Sequence, residues 1–464
     1  MVRRTGEGFT FLLLTPLWLL VYLPAKRRGI GSGIEKSILH APARRWRLYI
    51  IRGLDDVREA WWQQYKLESW IDFWFHAVVV EFMCVANIAR PRSESQSLPQ
   101  HARLLVVKLA HFGDALHVIP MINRLAVLRP DVMCDLLVGP WCSFLGDKCS
   151  PARAVKCYTP RFALFNRDNR KHVLNWFSEI RFLLSLRNNH YDAVVSTSTM
   201  NFPEWLLICA SGASRWIGAG NAFTQKFPDM SGRSVPYDSR AYEADRVSGL
   251  LALVGMPFQN KEDLHYSVPD AARVWAKDTL ASNGWDRNQC IVAVSPGAGW
   301  PGKQWPLDLL SSALRELSEK TSCRFILMGT ENERILTTTL KRDLGDIALD
   351  LGGKTSLDQA AALLETATLW LGNDSGPMHL AAAVGCPTLS IFGPTIASKW
   401  APRGAHHRHL QKKHDCRDCI SWHPRTNCLH DRACMRLITI PEVVEAASQL
   451  VYSARQKQGA EHEP

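Results

Sequence analysis

The chain lacks an uncharged run of bilayer-spanning length at its start. Phe9 to Pro24 (FTFLLLTPLWLLVYLP) carries no charge but is 16 residues long, against the ~20 that a spanning helix needs. It lacks a small-residue cleavage site after that run, and Lys26-Arg27-Arg28 follows at once, which argues against a removed secretory leader. It lacks any internal repeat of solenoid length, so stacked-repeat architectures are out. It has a single CxxC unit where a zinc ribbon has two. It has no acidic excess: 55 Lys and Arg against 44 Asp and Glu give a net charge of +11. With 46% hydrophobic and 21% charged residues, the composition is that of a globular protein and not of a disordered one.

What is present begins with an uneven distribution of charge. Between Lys26 and Arg52 stand eight Lys and Arg and one acid, Glu35. Such a block suits nucleic acid or an anionic lipid surface. It borders the apolar Phe9–Pro24 run and carries no recognisable nucleic-acid motif, so a membrane surface is expected as partner and nucleic acid is not. A second apolar stretch, Trp70 to Ala89, contains Asp72, His76 and Glu81, and aromatics gather around it (Trp61, Trp62, Trp70, Phe73, Trp74, Phe75). Tryptophan favours the membrane–water interface. Residues 1–100 therefore read as a helical, membrane-associated extension ending in the Pro- and Ser-bearing linker Arg90 to Gln100; a helical appendage packed on the rest remains the alternative.

Beyond residue 100 the pattern alternates strand and helix, and three turns carry the chemistry. The run Leu104 to Leu109 reads as a strand, Ala110-His111-Phe112-Gly113-Asp114 as a turn, and Ala115 to Leu128 as a helix. Asp114 would stand at the carboxyl end of a strand, where open α/β sheets bind ligands, or would simply cap the helix. Ile291 to Ser295 is a second strand, followed by Pro296-Gly297-Ala298-Gly299-Trp300-Pro301-Gly302-Lys303-Gln304-Trp305-Pro306. Thr368 to Leu371 is a third, followed by Asn373-Asp374-Ser375-Gly376, with Pro377 suited to a first helical turn and Asp374 or Ser375 to its N-cap. Two glycine-rich strand-to-helix turns are expected to form two walls of one phosphate site, with Lys303 adding a compact positive charge.

The three segments VVKLAHFGDALHVIP (Val106–Pro120), VSPGAGWPGKQWP (Val294–Pro306) and GNDSGPMHLAAAVGCPTLSIFGPT (Gly372–Thr395) resemble, in this order, glycosyltransferase family 9, which includes the ADP-heptose:lipopolysaccharide heptosyltransferases. Weaker matches are YDAVVSTS (Tyr191–Ser198), SGASRWIGAG (Ser211–Gly220) and MGTENE (Met328–Glu333). Together they cover residues 103 to 445. The resemblance implies an α/β chain of the GT-B architecture, two Rossmann-like domains facing a cleft. The expected domains are an acceptor domain at 101–260, a nucleotide-sugar-binding domain at 261–445 and a polar tail at 446–464. It implies an inverting transfer, without a metal or other cofactor, from a nucleotide-diphosphate sugar, with ADP-heptose as donor, to a lipopolysaccharide-type or lipid-linked glycan. The place implied is the cytoplasmic face of a bacterial inner membrane. A two-domain sugar-nucleotide epimerase and a catalytically silent scaffold of the same fold are the other readings.

The roles implied by the resemblance are specific. Asp114 is the base that takes the acceptor's proton. Ser295, Gly297, Lys303, Ser375 and Gly376 surround the leaving diphosphate, Asp374 holds hydroxyls of the donor sugar, and Glu333 holds the ribose unless it is a solvated surface acid. His379 is either a donor contact or a satisfied core histidine. Two departures stand out: Ser295 replaces the family's usual histidine, and Thr197-Ser198-Thr199-Met200-Asn201 replaces its usual turn after the strand at Ala193. Of thirteen cysteines, nine are scattered in apolar settings, among them Cys290 and Cys323, and read as small core residues in a reducing compartment. The other four, Cys416, Cys419, Cys428 and Cys434, cluster near His414, His423 and His430. They read as reduced thiols in a packed loop, with a structural zinc as the minor alternative and no part in catalysis.

Overall fold

The computed structural model describes residues 97–148, 152–157, 176–199, 202–220, 232–236, 238, 240–256, 263–286, 289–413, 428 and 430–460. Residues 1–96, on which the membrane-anchor expectation rests, lie outside them, as do Cys416 and Cys419. No helix among the described residues is long and apolar enough to cross a membrane.

Two six-stranded sheets organise the chain. The first holds β1 (Arg103–Lys108), β2 (Met133–Val138), β3 (Ala152–Cys157), β4 (Ala193–Thr199), β5 (Arg215–Gly220) and β6 (Gly232–Pro236), in the order β3-β2-β1-β4-β5-β6. The second holds β7 (Ile291–Ser295), β8 (Arg324–Leu327), β9 (Ala348–Asp350), β10 (Leu369–Asn373), β11 (Thr388–Phe392) and β12 (His407–Gln411), in the order β12-β11-β10-β7-β8-β9. Every pairing is parallel. Parallel sheets are covered on both faces, which explains why their central strands are runs of Leu, Val and Ile; Leu104 to Val107 and Val292 to Val294 are fully buried.

Counted from its own first strand, each sheet has the doubly wound order 3-2-1-4-5-6. The chain reverses direction across the sheet between β1 and β4 in the first and between β7 and β10 in the second. Ligands of such sheets bind at the carboxyl ends of the strands at that reversal. The Asp114 turn follows β1, and the two glycine-rich turns follow β7 and β10. Topology thus puts all three at the positions where the fold binds ligands.

Six helices matter for the site: α1 (Phe112–Leu116), α2 (Ile119–Leu128), α3 (Glu243–Gly249), α4 (Leu307–Thr321), α5 (Gly376–Ala383) and α6 (Ile440–Ala460). The single helix expected from Ala115 to Leu128 is two, broken at His117-Val118. Pro120 is the cause, since it has no N–H to give the preceding turn and its ring crowds the carbonyl four residues back. One buried cluster contains Leu104, Val106 and Ile119 of the first half together with Ile291, Trp370 and Met378 of the second, so the halves share a core.

Three expectations are corrected. The linker does not reach Gln100: Leu98 is buried, Arg215 donates to the Ser97 carbonyl at 2.7 Å, and Arg129 donates to the Pro99 carbonyl at 2.8 Å. Residues 446–460 are not a polar tail but most of α6, whose Ala447, Leu450 and Val451 are buried in the core that also contains Leu310, Leu314 and Leu317 of α4. Cys290 and Cys323, at the matched ends of β7 and β8, form a disulfide instead of standing as separate thiols.

Candidate active site

The turn after β10 is built around an ion pair. Asp374 is buried, with one carboxylate oxygen 2.8 Å from Lys303 Nζ and accepting a 2.6 Å hydrogen bond from the Thr395 hydroxyl. Burial alone would raise its pKa; the Lys303 ammonium and the Lys303 and Thr395 hydrogen bonds overcome that and hold the carboxyl below its ordinary value. The lysine in the first glycine-rich turn therefore closes on the acid in the second. Asn373 ties the same two turns through its amide: Oδ1 accepts from Trp305 N at 2.9 Å, and Nδ2 donates to the Pro296 carbonyl at 2.8 Å.

The start of α5 is left open. Ser375 occupies the N-cap, but its hydroxyl turns back to the Asn373 carbonyl at 3.0 Å and no side chain caps the helix. Asp374, the other capping candidate, is held by Lys303. Pro377 has no N–H and Met378 N donates to the Ser375 carbonyl at 3.1 Å, so the Gly376 N–H is the uncapped donor at the dipole's positive end.

Glycines set the closeness of these walls. A β-carbon on Gly297 would lie 1.9 Å from the Glu333 carboxylate, so Glu333 packs directly on the β7 turn. Its other oxygen accepts from the backbone N–H and the hydroxyl of Thr330, at 2.8 and 2.9 Å. A β-carbon on Gly113 would lie 2.7 Å from Cα of Gly376 and 2.9 Å from Cδ2 of His379, while one on Gly376 would run into the Phe112 ring at 2.2 Å. The Asp114 turn of the first sheet and the α5 start of the second are therefore in backbone contact.

Asp114 lies in the first turn of α1, whose N-cap is His111 without a side-chain cap bond. The capping alternative for Asp114 does not apply. Its charge reaches His111 and His379, and the Lys303 charge reaches the same two imidazoles. Asp114, Lys303, Asp374 and His379 thus share one small volume across the junction. His379 is buried, and burial lowers its pKa more than Asp114 and Asp374 raise it, leaving a neutral ring near pH 7. Ser295 is placed differently: it is buried at the end of β7, and its hydroxyl accepts from the Trp370 indole at 3.0 Å.

A second charged group was not apparent from the motifs. The Glu243 carboxylate at the start of α3 meets Lys108 at 3.1 Å, Arg246 at 2.7 Å and Lys399 at 3.7 Å. All four residues are buried. Burial pushes the Glu243 carboxyl up, and the three cations overcome it and hold it far below the carboxylate range. Arg246 also donates to the Thr197 carbonyl, and the Thr197 hydroxyl to that of Val107 at 3.0 Å. The expected turn at Thr197-Ser198-Thr199 is instead the end of β4, where these two bonds hold Thr197; Met200 and Asn201 lie outside the described residues. Arg403 adds a bond to Asp245 at 2.5 Å and stacks 3.7 Å over Tyr242, so α3 is clasped by the segment 397–403 of the second half. Sequence spacing gave no signal for this group, because its members are 135 and more residues apart except within α3.

Of the cysteine cluster, Cys434 is buried and Cys428 accepts from Arg432 N at 3.2 Å. Among the described residues no three His, Cys, Asp or Glu are grouped to hold a metal.

Two doubly wound parallel sheets meeting at a junction lined by strand-to-helix turns define a GT-B-like fold. The chain is similar in fold to a family 9 glycosyltransferase of Veillonella parvula (TM-score 0.64, 18% identity, 77% of this chain and 100% of that one) and to Escherichia coli ADP-heptose LPS heptosyltransferase II (TM-score 0.59, 17% identity, 76% and 99%). Residues 180–430 match the model of glycosyltransferase family 9 (heptosyltransferase). In sequence the chain is 46% identical over 306 residues to lipopolysaccharide heptosyltransferase 3 of Escherichia coli, covering 63% of this chain and 83% of that one. The chain belongs to glycosyltransferase family 9, the heptosyltransferases.

Proposed function

We propose that this heptosyltransferase moves heptose from ADP-heptose to a sugar of a lipopolysaccharide core. The donor is inferred from the Escherichia coli structure named for ADP-heptose, the acceptor from the relative named for lipopolysaccharide. The observation that carries the reading is the junction itself. A carboxylate of the first sheet, Asp114, stands against an uncapped helix start and a lysine of the second, with Gly113 and Gly376 as the point of contact.

The step follows from that arrangement. An acceptor hydroxyl oxygen attacks the anomeric carbon of the donor sugar as the bond from that carbon to the β-phosphate oxygen breaks. ADP leaves with the electron pair, the configuration inverts, and Asp114 takes the hydroxyl proton. A positioned base of this kind contributes ~10²–10⁴-fold. The growing negative charge on the diphosphate is met by the positive end of α5, with the Gly376 N–H as its donor, and by Lys303. For Lys303 to face the diphosphate, its bond to Asp374 loosens, and Asp374 then accepts from donor-sugar hydroxyls. Glu333, already against Gly297, accepts from the ribose. Ser295 lines this wall through its backbone, its side chain being engaged by Trp370. We assign residues 101–260 to the acceptor side and 261–445 to the donor side, and place the enzyme at a membrane surface on the strength of the Phe9–Pro24 run and the basic block after it.

The test is donor selection. In thermal-shift measurements against ADP-, GDP-, UDP- and dTDP-sugars, ADP-heptose is expected to stabilise most. A ligand at 100 times its dissociation constant contributes ~2.7 kcal/mol. A stronger response to a different nucleotide sugar would overturn the donor assignment.

A further inference from the structure

His117 follows α1 directly behind His379 and is itself assigned no contact with substrate. It is fully buried, and its Nε2 lies 3.2 Å from His379 Nδ1. The two rings meet edge to face with centroids 4.6 Å apart, and Tyr242 and Trp400 close on His117 edge-on at 5.7 and 5.8 Å. The bond joins the two halves of the molecule, since His117 follows β1 and His379 lies in α5. The Nδ1 of His117 has no hydrogen-bond partner among the described residues.

That last fact selects a tautomer. If His379 Nδ1–H donated to His117 Nε2, the His117 proton would sit on Nδ1, as a buried N–H with nothing to accept it. Orphaned buried N–H groups are rarer than under-used acceptors. With the proton on His117 Nε2, the bond runs the other way and only a lone pair is left over. The opposite end of His379 agrees. Its Cδ2, bonded to Nε2, is the atom a Gly113 β-carbon would meet at 2.9 Å, which places Nε2 beside the Asp114 turn. A negative carboxylate there favours an N–H facing it.

We infer that His117 is a positioning residue: by donating from Nε2 to Nδ1 of His379, it fixes that ring with its Nε2–H toward the cleft. His379 then offers a neutral donor to the anionic substrate and cannot act as a second base beside Asp114. This rests on Asp114 being the base, as proposed above, and takes His379 as a donor contact and not as a satisfied core histidine. The groups that set the charge of the pair are Glu243, Lys108 and Arg246 around His117, and Asp114, Asp374, Lys303 and Glu243 around His379.

The experiment has an arm that needs no turnover. In the full chain with ¹⁵N-labelled histidine, His379 (assigned with His379→Gln) is expected to show a protonated Nε2 and an unprotonated Nδ1 at neutral pH; the reverse pattern overturns the inference. The kinetic arm compares His117→Phe, which keeps bulk but cannot donate, with His117→Gln, whose amide can donate from nearly the same place. The Phe variant is expected to lose about 3- to 10-fold in kcat, the equivalent of one neutral hydrogen bond. It should keep the wild-type Kd for ADP and gain a second ionisation in the kcat/KM–pH profile. The Gln variant should keep the wild-type profile. A Phe variant with wild-type kcat and profile contradicts the inference while leaving the function standing. If the Phe variant does not fold, the ¹⁵N pattern of the wild type decides. If the wild type transfers nothing from ADP-heptose, the functional reading fails, and the ¹⁵N pattern still tests His117.

Discussion

Gly113 and Gly376 come from different sheets, 263 positions apart, and a β-carbon on the first would lie 2.7 Å from Cα of the second. The turn after β1 and the start of α5 are in contact only because neither glycine has a side chain. Gly113→Ala meets backbone, which cannot yield, so the halves must separate there. Gly376→Ala meets the Phe112 ring, which can rotate. The expected outcome is a loss of kcat of about 10²-fold for Gly113→Ala, from misplacement of reacting groups, and a smaller loss for Gly376→Ala. Small-angle scattering should show a more open Gly113→Ala variant. Equal losses with unchanged scattering would count against the contact.

Asp114 has a cleaner test. Asp114→Asn keeps shape and loses the proton-accepting oxygen, so kcat should fall by ~10²–10⁴-fold while calorimetric binding of ADP stays close to wild type. Turnover within a few-fold of wild type would remove Asp114 from the mechanism.

Lys303→Ala should weaken ADP more than adenosine, by about 1.5–3 kcal/mol for a lost charge-assisted bond, because the lysine is assigned to the diphosphate. It also leaves Asp374 buried with only Thr395 as a side-chain partner. The Asp374 pKa, held low in the wild type mainly by Lys303 against the opposing effect of burial, should rise. A depressed carboxyl contributes stability above its unfolded pKa, ~3.9, and loses it as pH falls through the folded value. The variant should therefore be less stable at pH 7 and lose less on acidification. Chemical denaturation at pH 7 and at about pH 3, below the unfolded pKa of ~3.9, reads both.

The Glu243 group is a stability element. Glu243→Gln leaves Lys108, Arg246 and Lys399 buried around an uncharged amide. Breaking a buried charge group in this way costs about 3–5 kcal/mol. Urea denaturation gives the value, and a change under 1 kcal/mol would mean that solvent or substrate, and not Glu243, balances those cations.

The histidine pair carries a pH dependence of known sign. Burial lowers the pKa of His117 most, with His379 adding to it, and burial also lowers that of His379. Below the unfolded pKa of ~6.5 the unfolded chain takes up these protons while the native chain does not. Stability should fall as pH drops, by up to about 1.4 kcal/mol per unit for each ring. A melting temperature that falls between pH 7 and pH 5, with a shallower slope in His117→Phe, is the expected result.

How much of this was legible in the sequence depends on range. The apolar runs Ile291–Ser295 and Thr368–Leu371 and the glycine turns after them were readable, because strand ends and turns are set by neighbours in the chain. The break between α1 and α2 was missed although Pro120 signals it. The burial of α6 was missed because a helix with one apolar face and many polar residues resembles a tail until its partner, α4, is known. Asn373 and Thr395 sat inside recognised segments, but their bonds to Trp305 and Asp374 depend on how two strands align. His117 and the Glu243 group are purely long-range: a buried charge or imidazole looks like any other until the fold supplies its neighbours.

The most direct measurement is transfer itself. The purified enzyme is incubated with ADP-heptose and a lipopolysaccharide core acceptor, and the acceptor is weighed by mass spectrometry while ADP release is followed. The expected result is an acceptor heavier by one heptosyl residue and one ADP released per transfer, with both signals lost in Asp114→Asn. ADP release without any gain in acceptor mass, or equal transfer by Asp114→Asn, would contradict the account.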